Sequence, residues 1–121
     1  MTETRAAYIA SESDLLATVI EMAHALGWRV YHVYDSRVNP RAPRRSGRER
    51  YTDPGFPDLV LCRPPRLLFV ELKRDDGRLR AGQVDWLDAL EDCGVETTVV
   101  RPADLDRLEE ELGREYGRAG A

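Results

Sequence analysis

The sequence predicts a single α/β domain in which a small mixed β-sheet is flanked by helices, in the order α-β-β-β-α-β-α. Apolar residues recur at three- and four-residue steps in three segments, as in amphipathic helices. Four short runs are rich in β-branched and aromatic residues, as in strands. A chain of 121 residues has room for one core, which we place at about residues 11–112 of a domain spanning residues 1–121.

The N-terminal part of the chain predicts a helix followed by a strand. Residues 1–10 show no periodicity and predict a loose arm. Ser11 is the predicted N-cap of the first helix, with Asp14 as its capping-box partner. That helix extends over residues 12–26, and the run at 28–34 predicts the first strand.

The rest of the core predicts a β-hairpin and then a β-α-β unit. Residues 58–63 and 67–73 are short apolar runs on either side of a proline pair, as in an antiparallel hairpin. A helix at 81–92 and a strand at 96–101 follow, and the crossover places this strand beside the hairpin. We expect the apolar side chains of that helix to face inward: Val84, Leu87 and Leu90. Pro102 opens the last helix.

Charge is distributed unevenly along the chain. The net charge is −4, which argues against a generally nucleic-acid-binding surface, but residues 37–50 carry +5, so the remainder carries −9. Prolines and glycines predict a long loop over residues 35–57, which contains this basic segment, and loops longer than about 15 residues are usually functional or disordered. The loop is predicted either to contact phosphates or to act as a solubilising segment. Its arginines are Arg37, Arg41, Arg44, Arg45, Arg48 and Arg50.

At one end of the predicted hairpin lie side chains that could bind a metal ion or transfer a proton. If its turn is centred between Pro64 and Pro65, Asp58 lies directly opposite Glu71, whereas a loop with an odd number of residues would shift this register. Lys73 is the only lysine among 18 basic residues and lies on the same face as Glu71. Adjacent carboxylates suit Mg²⁺, and a lysine suits proton transfer. The alternative is a solvated ion pair at a strand end.

Three motifs together resemble a known family. GFPDLVL at residues 55–61 and FVELK at 69–73 are similar to the GxPDL and ExK motifs of VRR-NUC domains, and QVDWL at 83–87 is similar to the family's QxxWL motif. VRR-NUC domains belong to the PD-(D/E)XK nuclease superfamily. The resemblance covers about residues 11–112 and implies a restriction-endonuclease-like core.

The resemblance also implies roles for individual residues. Asp58 and Glu71 would bind the metal together with the backbone carbonyl of Leu72, Lys73 would be the catalytic lysine, and Gln83 would support either the site or the phosphate. Gln83 shares a helix face with Leu87 and Leu90 and is expected to point towards the sheet, although a surface glutamine is the alternative.

Such nucleases often add a glutamate from the first helix. Glu12 is aligned with the core-facing residues, so it is our candidate further ligand, while Glu21 is expected to be solvated. The alternative for Glu12 is a first-turn acid that interacts with the helix dipole. Polar residues also end the first strand near the site, and the pattern gives them a weaker claim to a role in it: His32, Asp35, Ser36 and Arg37. His32 is expected to pack in the strand.

The function expected from this resemblance is Mg²⁺-dependent hydrolysis of phosphodiester bonds in DNA, with Mn²⁺ as a substitute metal. We expect a homodimeric endonuclease acting on branched or junction DNA, without a small-molecule cofactor. A non-catalytic nucleic-acid-binding module and a nuclease acting on RNA or foreign DNA are the alternatives. No run approaches the roughly 18 apolar residues of a membrane span, and residues 1–10 do not resemble a secretory signal, so we expect a cytoplasmic protein.

Overall fold

The computed structural model describes residues 5–33 and 53–115 of the chain. Seven helices and strands within these ranges follow the order predicted from the sequence. They are α1 (Glu12–Ala25), β1 (Arg29–His32), β2 (Leu59–Arg63), β3 (Arg66–Leu72), α2 (Ala81–Asp92), β4 (Glu96–Val100) and α3 (Leu105–Gly113).

The four strands form one mixed sheet in the order β1-β2-β3-β4. β1 and β3 both pair with β2 in antiparallel fashion, and β3 pairs with β4 in parallel. The hairpin register pairs Leu59 with Val70 and Arg63 with Arg66, which is the register predicted by centring the turn between the two prolines. The crossover through α2 brings β4 beside β3, as predicted.

The structure departs from the sequence prediction at several places. Residues 5–8, expected to be part of a loose arm, form a 3₁₀ helix, and a second 3₁₀ turn, Pro102–Asp104, precedes α3. The expectation that Val84 faces inward is wrong, because its side chain is 39% exposed. Leu87 is buried and Leu90 is half-buried, so the inward face of α2 lies slightly to one side of the predicted one.

One face of the sheet carries the main hydrophobic core. Alternate side chains of β2, β3 and β4 pack there against α1 and α3. The buried members of this core are Leu15, Val19, Met22, Ala23, Trp28, Leu59, Leu61, Leu68, Val70, Leu72, Val100, Leu105, Leu108 and Leu112. The opposite face receives α2, which contacts β4 and places Gln83 over Glu71 of β3.

Local hydrogen bonds fix the start of α1. The Ser11 hydroxyl oxygen accepts from the backbone N–H of Asp14 at 3.1 Å, as expected of an N-cap. The Asp14 carboxylate reaches back one residue further than in a standard capping box and accepts from the N–H of Ala10 at 3.1 Å. Glu12 is therefore held in the first turn of the helix.

Two arginines next to the hairpin turn tie the ends of the helices to the sheet. Arg63 donates to the carbonyl of Leu26 at 2.8 Å, at the end of α1. Arg66 is buried, pairs with Glu96 at 3.0 and 2.7 Å, and donates to the carbonyl of Glu111 at 2.8 Å near the end of α3. Cationic groups at helix C-termini are stabilising because they complement the helix dipole.

Trp28 completes this arrangement. Both guanidinium groups lie over its ring, 5.1 Å from the centroid for Arg63 and 5.0 Å for Arg66. Its indole N–H donates to the carbonyl of Leu112 at 2.9 Å. The C-terminal turns of α1 and α3 are therefore held together at the end of the sheet that is remote from Asp58.

None of the helices in residues 5–33 and 53–115 is long and apolar enough to cross a bilayer.

Replacing the buried Arg66 by Leu is expected to lower the free energy of unfolding by about 3 kcal/mol, because Glu96 loses its ion-pair partner and the Glu111 carbonyl loses its guanidinium donor. Arg107→Leu is the matched control: its ion pairs with Asp104 and Glu111 are partly exposed to solvent, so we expect a change below about 0.5 kcal/mol. Urea unfolding measures both. Equal effects of the two substitutions would contradict the role given to Arg66.

Candidate active site

Asp58 lies immediately before β2 and is fixed by its neighbours on both sides. Its backbone carbonyl accepts from the N–H of Val33 at 2.8 Å, which extends the pairing between β1 and β2 by one residue. Its carboxylate Oδ2 accepts from the N–H of Leu72 at 2.8 Å. The side chain therefore points across the hairpin towards β3, where the register places Glu71 opposite it.

Glu71 is a buried carboxyl group with incomplete hydrogen bonding. The residue is 1% exposed, although it belongs to a strand whose other side chains are mostly apolar. Its Oε1 atom accepts from the amide of Gln83 at 3.3 Å. Its Oε2 atom is buried and accepts no hydrogen bond within the described ranges.

The electrostatics of this pair follow from that burial. Desolvation first, and then the adjacent Asp58 carboxyl within hydrogen-bonding reach, raise the pKa of Glu71 from 4.5 to about 9. The positive charge of Lys73 acts in the opposite direction, and the negative charge of Glu12 raises the pKa further. Two carboxyl groups at this spacing cannot both ionise without a compensating positive charge.

Gln83 is placed by the first turn of α2. It is 7% exposed, so the expectation that it points towards the sheet is confirmed and the surface alternative is wrong. Its carbonyl oxygen accepts from the N–H of Arg80 at 2.8 Å, one half of a capping box. Because this bond fixes the amide orientation, its NH₂ group is presented to Glu71.

Two glycines allow the segment before Asp58 to lie directly on α2. Gly55 has φ +100°, and a Cβ atom there would come within 2.4 Å of the Gly82 carbonyl carbon. In turn, a Cβ atom on Gly82 would come within 2.8 Å of the Pro54 carbonyl oxygen. Side chains at either position would separate the backbones. The contact therefore sets the distance between Asp58 and Gln83.

Aromatic side chains reinforce this contact. Phe56 packs edge-on against Trp86 of α2 at 4.8 Å between ring centroids and against Phe69 of β3 at 5.8 Å. The Trp86 indole N–H also donates to the carbonyl of Asp53 at 3.2 Å. Residues 53–58 are thus attached to both α2 and the sheet.

The remaining predicted site residues surround the pair less closely. Lys73 is half-buried, and its N–H donates to the carbonyl of Val100 at 3.0 Å, which fixes the backbone just after Leu72. Glu12 is exposed, and its charge acts on Glu71 across the end of α1, so its role as a ligand stays a prediction. Glu21 is exposed, as expected. His32 is half-buried in β1, opposite Leu59 on the core face.

Some predicted residues lie outside the described ranges. These are Asp35, Ser36, Arg37, Arg41, Arg44, Arg45, Arg48 and Arg50. Their proposed contacts with nucleic acid stay predictions. Conversely, the sequence pattern predicts no role for Gly82 or for the hydrogen bond between Trp86 and Asp53. The small residue directly before Gln83 was the available signal for close backbone packing.

The donor set fits a hard divalent cation. Mg²⁺ favours carboxylate and carbonyl oxygens, and one buried carboxylate oxygen of Glu71 lacks any donor from the described residues. Asp58 contributes a second carboxylate beside it. Within residues 5–33 and 53–115, no group of three or more His, Cys, Asp or Glu side chains converges as a metal site. A cation here would therefore rest on the Asp58–Glu71 pair and on backbone oxygen.

Comparison with known protein families gives a match. The sequence model of the VRR-NUC domain family matches residues 6–104, and this range includes α1, all four strands and α2. The matched range contains Asp58, Glu71, Lys73 and Gln83. No curated protein and no solved structure matches the chain.

Replacing Gly55 by Ala is expected to destabilise the protein by about 3 kcal/mol or more, because it combines positive-φ strain with a backbone collision. Gly94→Ala is the matched control. Gly94 has φ +83° but no atom within 4 Å of a built Cβ, so only strain of about 1 kcal/mol applies. Chemical unfolding of both variants checks this, and equal losses would show that the close approach to Gly82 contributes nothing.

Proposed function

The chain belongs to the VRR-NUC domain family, and from this premise we propose that it is a Mg²⁺-dependent endonuclease that hydrolyses phosphodiester bonds in DNA. The observation that carries the proposal is the buried Glu71 carboxyl, whose Oε2 atom has no donor from the described residues, beside the carboxyl of Asp58. A structural carboxyl with this burial would be expected to have its hydrogen bonds satisfied.

In this proposal, Asp58, Glu71 and the backbone carbonyl of Leu72 hold the cation. Bound Mg²⁺ supplies positive charge that polarises the phosphodiester and lowers the pKa of water. Asp58 is oriented for this task by the Leu72 N–H, which holds Oδ2. Gln83 occupies Glu71 Oε1, which leaves Oε2 as the free oxygen of that carboxylate.

Lys73 is the proposed group for orienting the attacking water and for stabilising charge. Water loses one proton to solvent and attacks phosphorus in line with the 3′ oxygen. The P–O3′ bond breaks, the leaving 3′ oxygen takes up a proton from solvent, and the products are a 5′-phosphate and a 3′-hydroxyl. Lys73 orients the attacking water and offsets the negative charge that grows on the phosphate oxygens. A half-buried ammonium group whose charge already acts on Glu71 suits this task, because it is a compact positive charge close to the proposed metal site.

The proposed substrate is branched or junction DNA. We propose that a homodimer with two active sites cleaves it and that the protein acts in the cytoplasm. The basic segment at residues 37–50 supports a nucleic-acid partner, since its +5 charge contrasts with the −9 of the remaining chain. Guanidinium groups bind phosphates through paired hydrogen bonds. Mn²⁺ is expected to replace Mg²⁺, because both accept carboxylate oxygen.

Asp58→Asn and Lys73→Met are expected to reduce kcat on DNA at least about 100-fold while the proteins stay folded, because each removes one catalytic group. Cleavage of labelled junction, flap and linear DNA in Mg²⁺, Mn²⁺ and EDTA measures this, and EDTA should abolish it. Asp92→Asn, an exposed carboxylate at the end of α2, is the matched control and should retain wild-type activity.

Wild-type rates in both site variants would contradict the proposal. Binding without metal-dependent turnover would identify a non-catalytic module, and cleavage of RNA alone would exclude DNA as the substrate.

A further inference from the structure

The sheet face that carries the two carboxyls continues as an exposed surface on β1. Strand pairing arranges side chains of this face in rows across β1, β2 and β3. The row with the carboxyls is Val33, Asp58 and Glu71; the next row is Tyr31, Val60 and Phe69; and the third is Arg29, Cys62 and Leu67. Tyr31 is therefore one row away from the metal-binding pair of the proposed function.

Tyr31 is unusually exposed for a large side chain in a sheet. It is 66% exposed, whereas Phe69, in the same row, is half-buried beneath Phe56. α2 packs on the β4 side of this face, while Tyr31 on β1 remains largely open to solvent. Tyr31 and Asp58 are diagonal neighbours on adjacent strands, and such neighbours lie about 7–8 Å apart. The Tyr31 ring is therefore close enough to contact a nucleotide whose phosphate is bound at Asp58.

The surroundings of Tyr31 match a nucleotide better than a protein core. Arg29, two residues earlier on the same strand and face, is also exposed and provides a positive charge. An aromatic ring next to a guanidinium group is the usual means of binding a nucleobase and its phosphate without sequence preference. Val60, between Tyr31 and the covered part of the sheet, is half-buried and supplies an apolar floor.

We propose that Tyr31 stacks on an unpaired nucleobase next to the phosphate that is cleaved, and that Arg29 contacts a phosphate of the same strand. This inference rests on the proposed nuclease function and makes the substrate more specific. In a duplex both faces of a base are covered by its neighbours, so stacking on a protein ring requires a base that has left the helix. The preferred DNA then has an unpaired nucleotide at the cleaved bond.

The test crosses two changes, one in the protein and one in the DNA. Wild-type, Tyr31→Ala, Tyr31→Phe and Arg29→Gln proteins are assayed on a flap oligonucleotide with an intact or an abasic nucleotide beside the cleaved bond. Leu67→Ala is the matched control: it is an exposed apolar side chain on the same face, two rows from Asp58. Binding of the same oligonucleotides in EDTA is measured in parallel with 2-aminopurine at the unpaired position.

Tyr31→Ala is expected to raise KM on intact DNA about tenfold with kcat changed less than twofold, and to have no effect on abasic DNA. Tyr31→Phe should behave as wild type, because it keeps the stacking ring. Arg29→Gln should weaken binding to intact and abasic DNA equally. In EDTA, the wild type should quench 2-aminopurine fluorescence and Tyr31→Ala should not.

Equal effects of Tyr31→Ala on intact and abasic DNA, or no effect at all, would overturn the inference, and an effect of Leu67→Ala as large as that of Tyr31→Ala would do the same. Loss of self-association in Tyr31→Ala without a change on DNA would assign Tyr31 to a protein interface instead. The two proposals fail separately. Fluorescence quenching without cleavage would support the stacking role of Tyr31 and contradict the nuclease function. Cleavage that is insensitive to substitution of Tyr31 would support the nuclease function and contradict the stacking role. Absence of both binding and cleavage overturns both.

Discussion

The Glu71 carboxyl is buried in the middle layer of the molecule, and a second carboxyl, that of Asp58, faces it across the hairpin. Burial disfavours the charged form of Glu71, and the neighbouring acid disfavours it again. A chain selected only for stability would gain by replacing this residue with an apolar one. Much of the remaining structure holds these two groups where they are.

Three contacts maintain that arrangement from different elements. The Leu72 N–H fixes Asp58, the capped first turn of α2 orients Gln83 onto Glu71, and the backbone contact between Gly55 and Gly82 joins the two halves. Each acts through backbone or through a buried amide, and such groups have few alternative conformations. The site is consequently preorganised on strand ends and a helix start. Arg63 and Arg66, at the opposite end of the hairpin, stabilise the same strands without contacting the site.

The element order, the hairpin register and the convergence of Asp58 with Glu71 were predictable from the sequence. Their signals are local: periodicity in the helices, alternation in the strands and a short proline turn that gives the observed register when it is centred between Pro64 and Pro65. The burial of Gln83 was predictable from its helix face in the same way. VRR-NUC membership, suggested by three spaced motifs, is confirmed by the family match.

Other features depend on contacts between distant parts of the chain and gave no local signal. The role of Arg66 requires Glu96 and the end of α3 to arrive beside it, 30 and 45 residues later. A side chain at position 55 would collide with the backbone of Gly82, which belongs to α2, far downstream in the sequence. The exposure of Val84 reflects which side of α2 the sheet leaves uncovered. Such tertiary effects override local patterns.

We propose that the buried Glu71 carboxyl destabilises the metal-free protein and that a divalent cation would offset this cost. In the unfolded chain Glu71 ionises near 4.5, but in the folded protein it does so only near 9. The folded state thus binds an extra proton between these values, and its stability falls as pH rises, by up to about 1.4 kcal/mol per pH unit.

The direct measurement is urea unfolding from pH 5 to 9, in EDTA and in Mg²⁺, of the wild type and Glu71→Gln. We predict a fall with pH in metal-free wild type, a flatter profile in Glu71→Gln, and a recovery with Mg²⁺ only in the wild type. Identical pH profiles in EDTA, or equal stabilisation of both proteins by Mg²⁺, would contradict the account.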